Sequence, residues 1–363
     1  MRMNSQKKFE KFLPYFSSRY TFEVCPKERV EELVRFIDTY WKKDHIFVKS
    51  RRLLDWNLFD ERRNRYNFCI ATEKKTGDIH AIVGFTYTSH FDPAISRPLS
   101  WGCLWKAREE VAQPGVGLMV EWMKDFQFPS CAVVGLGESN KAIQLAKKNG
   151  AHTGVMDQYF LANDDLNDFR LLGGEWLPRR EPALSGALRA FCEVGEDDLL
   201  HMSEELRMEI PCFKSPLYYV NRYLLHPFYT YHTSFILDGR GACIGVLIWR
   251  ACQANGAVCL RIVDYFGKPG ALAGCQTSFQ KLLTEQNAEY IDMLCTGMPP
   301  DELMLAGFVE RHSYPGLIIP NYFEPFCMKN IDVSYSWSGD PTAGRIFKGD
   351  SDQDRPNTLE ANE

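Results

Sequence analysis

The sequence predicts an α/β protein built from two mixed-sheet domains in tandem, and three observations point there. A chain of 363 residues is longer than one compact core usually organises. Apolar strand-like runs alternate with amphipathic helical stretches in both halves. The order of elements in 188–349 repeats that of 1–163 without repeating its sequence.

In the first half, Thr21–Cys25 reads as a strand. Pro26 opens a helix with apolar spacing at Val30, Leu33, Val34, Ile37 and Trp41. Arg51–Asn64 is polar and aromatic, a short helix with loops. Tyr66–Thr72 and His80–Thr88 form a hairpin around Thr76-Gly77-Asp78. Leu99–Ala107 is a tryptophan-rich strand, followed by the turn Ala112–Gly117 and a helix over Leu118–Phe126. Ser130–Leu136 is a buried strand, Asn140–Asn149 a helix capped by Gly150, and Met156–Ala162 a strand closing the half.

Residues 164–187 carry Gly173-Gly174, Pro178 and Pro182 and read as a linker. The second half then runs through strand Leu188–Val194, helix Glu196–Met208, hairpin Tyr229–Leu237 with Ala242–Cys252, and strand Ala257–Phe266. Helix Leu272–Glu285, strand Tyr290–Leu294 and helix Asp301–Leu305 complete it. The polar tail 350–363 is expected to be disordered.

The chain is 45% hydrophobic and 25% charged, with a net charge of −5. That balance suits a globular protein and argues against a general nucleic-acid or anionic-membrane binder. The N-terminus MRMNSQKKFEKF lacks the apolar run of a secretory signal, and no stretch is apolar for long enough to span a bilayer. A cytoplasmic location is expected, with the oligomeric state open. None of the twelve cysteines forms a CxxC pair, and most lie in apolar runs, so no metal is expected. Asp350-Ser351-Asp352-Gln353-Asp354 resembles the start of a calcium loop, but Arg355 stands where glycine is needed and Ala361 where glutamate is needed.

Gln113-Pro114-Gly115-Val116-Gly117 lies between a strand and a helix. Unsatisfied backbone N–H groups and the helix dipole make such a turn an anion site, and glycine lets a phosphate approach. No complete GxGxxG and no Gly-Lys-Ser/Thr is present, which excludes the common dinucleotide and P-loop patterns. In the second half, Gly267-Lys268-Pro269-Gly270 has a different glycine spacing.

Hairpin, strand, glycine turn, helix, strand, and then a helix ending in glycine: residues 20–163 resemble the GNAT (GCN5-related) acyltransferase superfamily. Gly115 and Gly117 match its Arg/Gln-x-x-Gly-x-Gly/Ala loop, and Ser139, Ala142, Ile143, Leu145 and Gly150 its later helix. Residues 188–330 match by architecture alone, as a second GNAT-like half. The family's Arg/Gln, tyrosine and phenylalanine positions hold Ala112, Ala146 and Ala151. The resemblance implies acetyl-CoA or another acyl-CoA as co-substrate, held by Trp105, Ala107, Gln113, Gly115, Val116, Gly117, Leu118, Ser139 and Asn140. The tandem arrangement is also similar to GNAT-like proteins of bacterial surface-polysaccharide (lipopolysaccharide, O-antigen) clusters. That implies a nucleotide-linked amino sugar as acceptor. A FemABX-like aminoacyl transferase and a non-catalytic sugar-nucleotide binding module are the alternatives.

Acyl transfer to an amine needs a base and oxyanion donors. His90 and Asp92 share one side of an extended segment after the hairpin, and Glu109 and Glu110 precede the turn; these four are the catalytic candidates. Asp55 and Trp56 are candidates for acceptor binding, as are Arg261 and Asp264, whose odd separation places them on opposite sides of a strand. His232 reads as a packed histidine.

Overall fold

Gly77 turns the chain at φ 78, and the runs on either side pair antiparallel with Cys69 opposite Val83. Side chains alternate along these two strands. Phe68, Ile70 and Ile82 meet the helices that precede them, while Cys69, Ala71, Val83 and Phe85 meet the terminal helix and the helix after the glycine turn. Both faces are therefore covered.

The computed structural model describes residues 5–127, 131–136, 141–174, 189–338 and 344–358. The strands of the first half are β1 (Tyr20–Pro26), β2 (Phe59–Asp60), β3 (Arg65–Glu73), β4 (Ile79–Tyr87), β5 (Ser100–Ala107), β6 (Cys131–Leu136) and β7 (His152–Val155). They are followed by β8 (Asp157–Ala162), β9 (Ala190–Val194), β10 (His232–Leu237), β11 (Cys243–Ala254), β12 (Ala257–Gly267), β13 (Tyr290–Thr296), β14 (Val309–Glu310), β15 (Val333–Trp337) and β16 (Ile346–Phe347). The helices are α1 (Ser5–Ser17), α2 (Val30–Phe36), α3 (Ile46–Lys49), α4 (Arg51–Leu58), α5 (Thr88–Phe91), α6 (Val116–Gln127) and α7 (Lys141–Lys148). The later ones are α8 (Glu196–Leu200), α9 (Glu204–Arg207), α10 (Pro216–Tyr219), α11 (Gln276–Glu285) and α12 (Pro300–Leu305).

One sheet runs β1-β3-β4-β5-β6-β15-β7, with β2 on β3; the other runs β14-β8-β13-β12-β11-β10-β9, with β16 on β13. The two halves exchange strands. β7 and β8 are separated by Met156 alone, yet β7 pairs with β15 in the first sheet and β8 with β13 in the second. The segment 156–162 therefore does not close the first half. That place is taken by β15, which returns from the far end of the chain to lie between β6 and β7. The linker expected at 164–187 is built into the second half through residue 174: Glu289 accepts the N–H groups of Arg170 and Leu171, and Gly173 bridges Ile318. Residues 175–188 lie outside the described residues.

Helix α1 had no counterpart in the sequence reading. It buries Phe9 and Phe16 against the face that α6 covers with Val116, Met119 and Val120, worth about 1.5–3 kcal/mol per fully buried side chain.

The tail expected to be disordered is packed through residue 358. We call 346–355 the strap. Asp354 accepts from Arg250 (Nη2–H at 2.8 Å) and from the Tyr231 hydroxyl at 2.7 Å. Arg222 donates to the carbonyls of Gly349 and Ser351, at 3.1 and 3.0 Å. Lys214 pairs with both Asp264 and Asp350. Burial opposes the Lys214 charge, but the two carboxylates hold it in the charged form. Composition predicts disorder when charges have only water to meet; here buried cations wait for them. The described residues hold no helix long and apolar enough to cross a membrane.

Candidate active site

β5 and β6 run parallel but pair only at Ser100–Cys131 and Trp101–Ala132. Beyond that point β6 continues beside β15, and the β5 edge from Gly102 onward has no β6 partner. The strands splay, and a cavity of about 710 Å³ occupies the gap. Its walls come from β5 (Gly102 to Ala107), α6 (Gly117, Glu121, Lys124), the start of α7 (Lys141, Ala142), Trp41 and Lys42, Asn321 and Tyr322, and the strap (Lys348, Asp352, Gln353, Arg355).

A bulge shapes the β5 wall. Val83 lies opposite Trp105 and Gly84 opposite Cys103, which leaves Leu104 as the extra residue at φ 43. A left-handed leucine costs on the order of 1–3 kcal/mol and is held only where packing over-determines it. Glycine at 84 is required, because a Cβ there would fall 2.7 Å from both Cys103 Sγ and the Phe68 ring. The bulge lies on the stretch of β5, Gly102 to Ala107, that lines the cavity.

The glycine turn sits at the same mouth. Gly115 takes φ 91, and the Val116 and Leu118 N–H groups bond to Gln113 O and Gly115 O at 3.1 and 2.9 Å. The chain thereby enters α6, twelve residues long, with its N-terminal dipole end at the cavity. Two side chains hold the turn: the Gln113 N–H donates to the Tyr20 hydroxyl at 2.9 Å, and the Trp105 indole N–H to Gly117 O at 2.8 Å. A Cβ on Gly117 would lie 3.5 Å from that of Ala107, so bare backbone faces the gap.

The lining is cationic. Lys42, Lys106, Lys124, Lys141, Lys348 and Arg355 face Glu109, Glu121 and Asp352. Lys124 is buried against Glu121 at 2.7 Å and Asp125 at 3.5 Å, and burial pushes the Glu121 carboxyl up. Asp352 accepts from Arg355 Nε–H at 2.8 Å and Asn57 Nδ2–H at 3.2 Å. Burial first, and then the Asp352 charge, keeps Cys103 a thiol, so the cysteine in this wall is not poised as a nucleophile. Among the described residues no group of three or more His, Cys, Asp or Glu is placed to hold a metal.

The sequence-predicted residues divide accordingly. Trp105, Ala107, Glu109 and Gly117 line the cavity; Gln113, Gly115, Val116 and Leu118 form the adjoining turn and first helical turn. Ser139 and Asn140 lie outside the described residues. Glu110 is exposed just beyond β5 and is not in the wall. His90 and Asp92 are also absent from it. His90 Nε2 lies 2.9 Å from Trp56 O, within the first half, and burial pushes its pKa down, while Asp92 accepts from Ser215 Oγ at 2.5 Å across the seam between the halves. Asp55 accepts from the Tyr66 hydroxyl at 2.5 Å, and Trp56 packs against Phe91 and His226.

Arg261 and Asp264 do not face opposite sides. A second bulge sets Ile248 opposite Asp264 and Trp249 opposite Ile262, leaving Val263 extra. Leu260, Ile262 and Tyr265 then share the core with α11, while Val263 and Phe266 share the one with Tyr223. Arg261 bonds Asp292 through two nitrogens at 2.8 Å and Asp264 takes Lys214 at 2.7 Å, all beneath the strap. His232 stacks on Trp249 and reaches Glu193 at 2.8 Å.

The second half has its own gap, and the chain fills it. β12 and β13 pair in parallel through Cys259–Ile262 and Tyr290–Met293. Past that pairing, β16 bonds β13 at Cys295–Phe347 and Thr296–Ile346, and Gly349 lies so close to Val263 that a Cβ would fall 2.7 Å from its carbonyl oxygen. Having closed that gap, the strap goes on to line the open one. Sequence reasoning missed the strap, Trp41, Lys42, Asn321 and Tyr322, because only tertiary structure brings these segments to β5.

No known family pattern matches the sequence, and no curated protein matches it. A GCN5-related N-acetyltransferase from Anabaena variabilis superposes with a TM-score of 0.52 at 12% identity, covering 88% of this chain and 72% of that one. The fold is that of the GCN5-related N-acetyltransferases. Saccharomyces cerevisiae N-myristoyltransferase with bound myristoyl-CoA aligns more loosely, with a TM-score of 0.44, 8% identity, and 89% and 80% of the two chains covered. A probable N-acyltransferase from Enterococcus faecalis gives a TM-score of 0.48 at 11% identity, over 86% and 72%. In this GCN5-related fold the open cavity belongs to the first half and the filled gap to the second.

Proposed function

We propose that the protein is an N-acyltransferase that moves an acyl group from acyl-CoA to the amine of a small acceptor. The observation that carries this reading is the open gap between β5 and β6, with the bulge at Leu104 and the Gly115–Gly117 turn at one mouth. An unpaired strand edge offers N–H and C=O groups to an extended, amide-bearing arm, as pantetheine is. The turn and the α6 dipole suit the pyrophosphate. Amides at the bulge suit the oxyanion that forms when an amine attacks the thioester. With Cys103 held as a thiol, direct attack by the amine is the simplest route.

For the acceptor we favour a nucleotide-linked amino sugar. The excess of cations in the lining suits a diphosphate, and Trp41, about two-fifths exposed at the wall, offers an aromatic face. The test is calorimetry with CoA and acetyl-CoA, followed by thiol release from acetyl-CoA with UDP-glucosamine. Micromolar CoA binding supports the reading, and absence of CoA binding overturns it. CoA binding without thiol release would send the search to other amines.

A further inference from the structure

We propose that Lys348, delivered by the strap from the second half, is the general base of this cavity; the proposal rests on the acyltransferase reading above. Lys348 lines the cavity and is otherwise buried. Among the described residues its Nζ makes one hydrogen bond, to the Asn321 carbonyl at 2.6 Å, and no carboxylate lies within ion-pair distance. The same oxygen accepts Arg261 Nη1–H at 2.9 Å. A permanent cation thus shares an acceptor with the lysine.

The carboxylates around it are already engaged. On β13, Asp292 is taken by Arg261 of β12. On the strap, Asp354 is taken by Arg250 of β11 and Asp350 by Lys214, which also holds Asp264 of β12. Burial first, and then the Arg261 charge, pushes Lys348 down to about 7. A neutral amine in a buried wall has a lone pair to offer, and a base is most effective when its pKa lies near the working pH.

Among the described residues, the other candidates in the wall are spent or misplaced. Glu121 is bound to Lys124, and Asp352 to Arg355 and Asn57. The Glu109 side chain is 75% exposed and sits by Lys106. No histidine is among the described residues that line the cavity.

The step balances without another reagent. The acceptor enters as a neutral amine, and its nitrogen attacks the thioester carbon. Lys348 takes the proton that this nitrogen sheds as the C–N bond forms. When the C–S bond breaks, the ammonium of Lys348 returns that proton to the CoA thiolate. The lysine ends neutral and the products are an amide and a free thiol.

The test needs no identified acceptor. The full chain is labelled with trace acetic anhydride from about pH 6 to about pH 11, with and without saturating CoA, and the Lys348 peptide is read by mass spectrometry. A half-point near pH 7 together with loss of labelling under CoA supports the proposal. A half-point near the ordinary lysine value of about 10.4 overturns it, as does labelling that CoA leaves unchanged. Calorimetry on the same sample separates the two readings: CoA that fails to bind sinks the acyltransferase reading, whereas bound CoA with an ordinary Lys348 sinks only the base. K348R, which puts a permanent cation in place of the titrating amine and so removes the lone pair, should keep its CoA Kd within about twofold and lose at least tenfold in thiol release to UDP-glucosamine, a loss in the range expected for a missing base. Equal release by K348R and the parent would also overturn the assignment.

Discussion

Trp105 donates its indole N–H to the carbonyl of Gly117 at 2.8 Å, which couples the bulged strand to the glycine turn. The two surfaces proposed to hold CoA are thereby held in register. Trp105→Phe keeps the ring and removes the bond. A net hydrogen bond is worth about 1 kcal/mol, so the CoA Kd should rise about fivefold. Thermal unfolding should move little. Calorimetry of the variant beside the parent checks both.

Gly115 takes φ 91, and a Cβ there would meet Phe16 Cζ at 3.3 Å. Gly115→Val places a β-branched residue in the left-handed region, which costs on the order of 1–3 kcal/mol. The turn should relax away from its geometry and CoA affinity should fall at least tenfold, while far-ultraviolet circular dichroism stays unchanged. An unaltered Kd would remove the turn from the phosphate site.

Asp354 lies between Arg250 and Tyr231. Burial opposes its charge, but Arg250 holds the carboxyl below the usual range. Asp354→Asn leaves a buried guanidinium without its counter-charge, a loss of about 3–5 kcal/mol at pH 7. A carboxyl depressed in the folded state stabilises above its unfolded pKa, and that contribution fades as pH falls through the folded value. The gap between parent and variant should therefore narrow below about pH 4. Urea unfolding at pH 7, 5 and 3.5 reads it.

His226 is buried against Trp56, its Nδ1 accepts the N–H groups of Phe228 and Tyr229, and burial with the Arg222 charge pushes it down to about 3. The unfolded chain binds a proton near pH 6.5 that the folded chain refuses until about pH 3. Stability should fall as pH drops through that window, by up to about 1.4 kcal/mol per pH unit for this group. His45, also pushed down to about 3, acts in the same direction. His226→Asn keeps an acceptor for the two amides and should flatten the curve. Equal slopes for parent and variant between pH 6.5 and 4.5 would contradict this.

The sequence by itself determined the local features. Gly77 announced the hairpin, Gly115 the turn, and Gly150 the cap of α7, because each answers to a backbone angle that glycine adopts without penalty. It also placed Trp105, Ala107, Glu109 and Gly117 together, since the strand, turn and helix that carry them are consecutive. Tertiary structure alone decided the rest. Met156 separates β7 and β8, yet they join different sheets, a choice made by β15 and β13 from the far end of the chain. One extra residue at Val263 turned Asp264 to the side of Arg261, which residue counting could not foresee. The tail's charges read as disorder in composition and as order in the fold, because Arg250, Lys214 and Arg222 are buried where those carboxylates and carbonyls meet them.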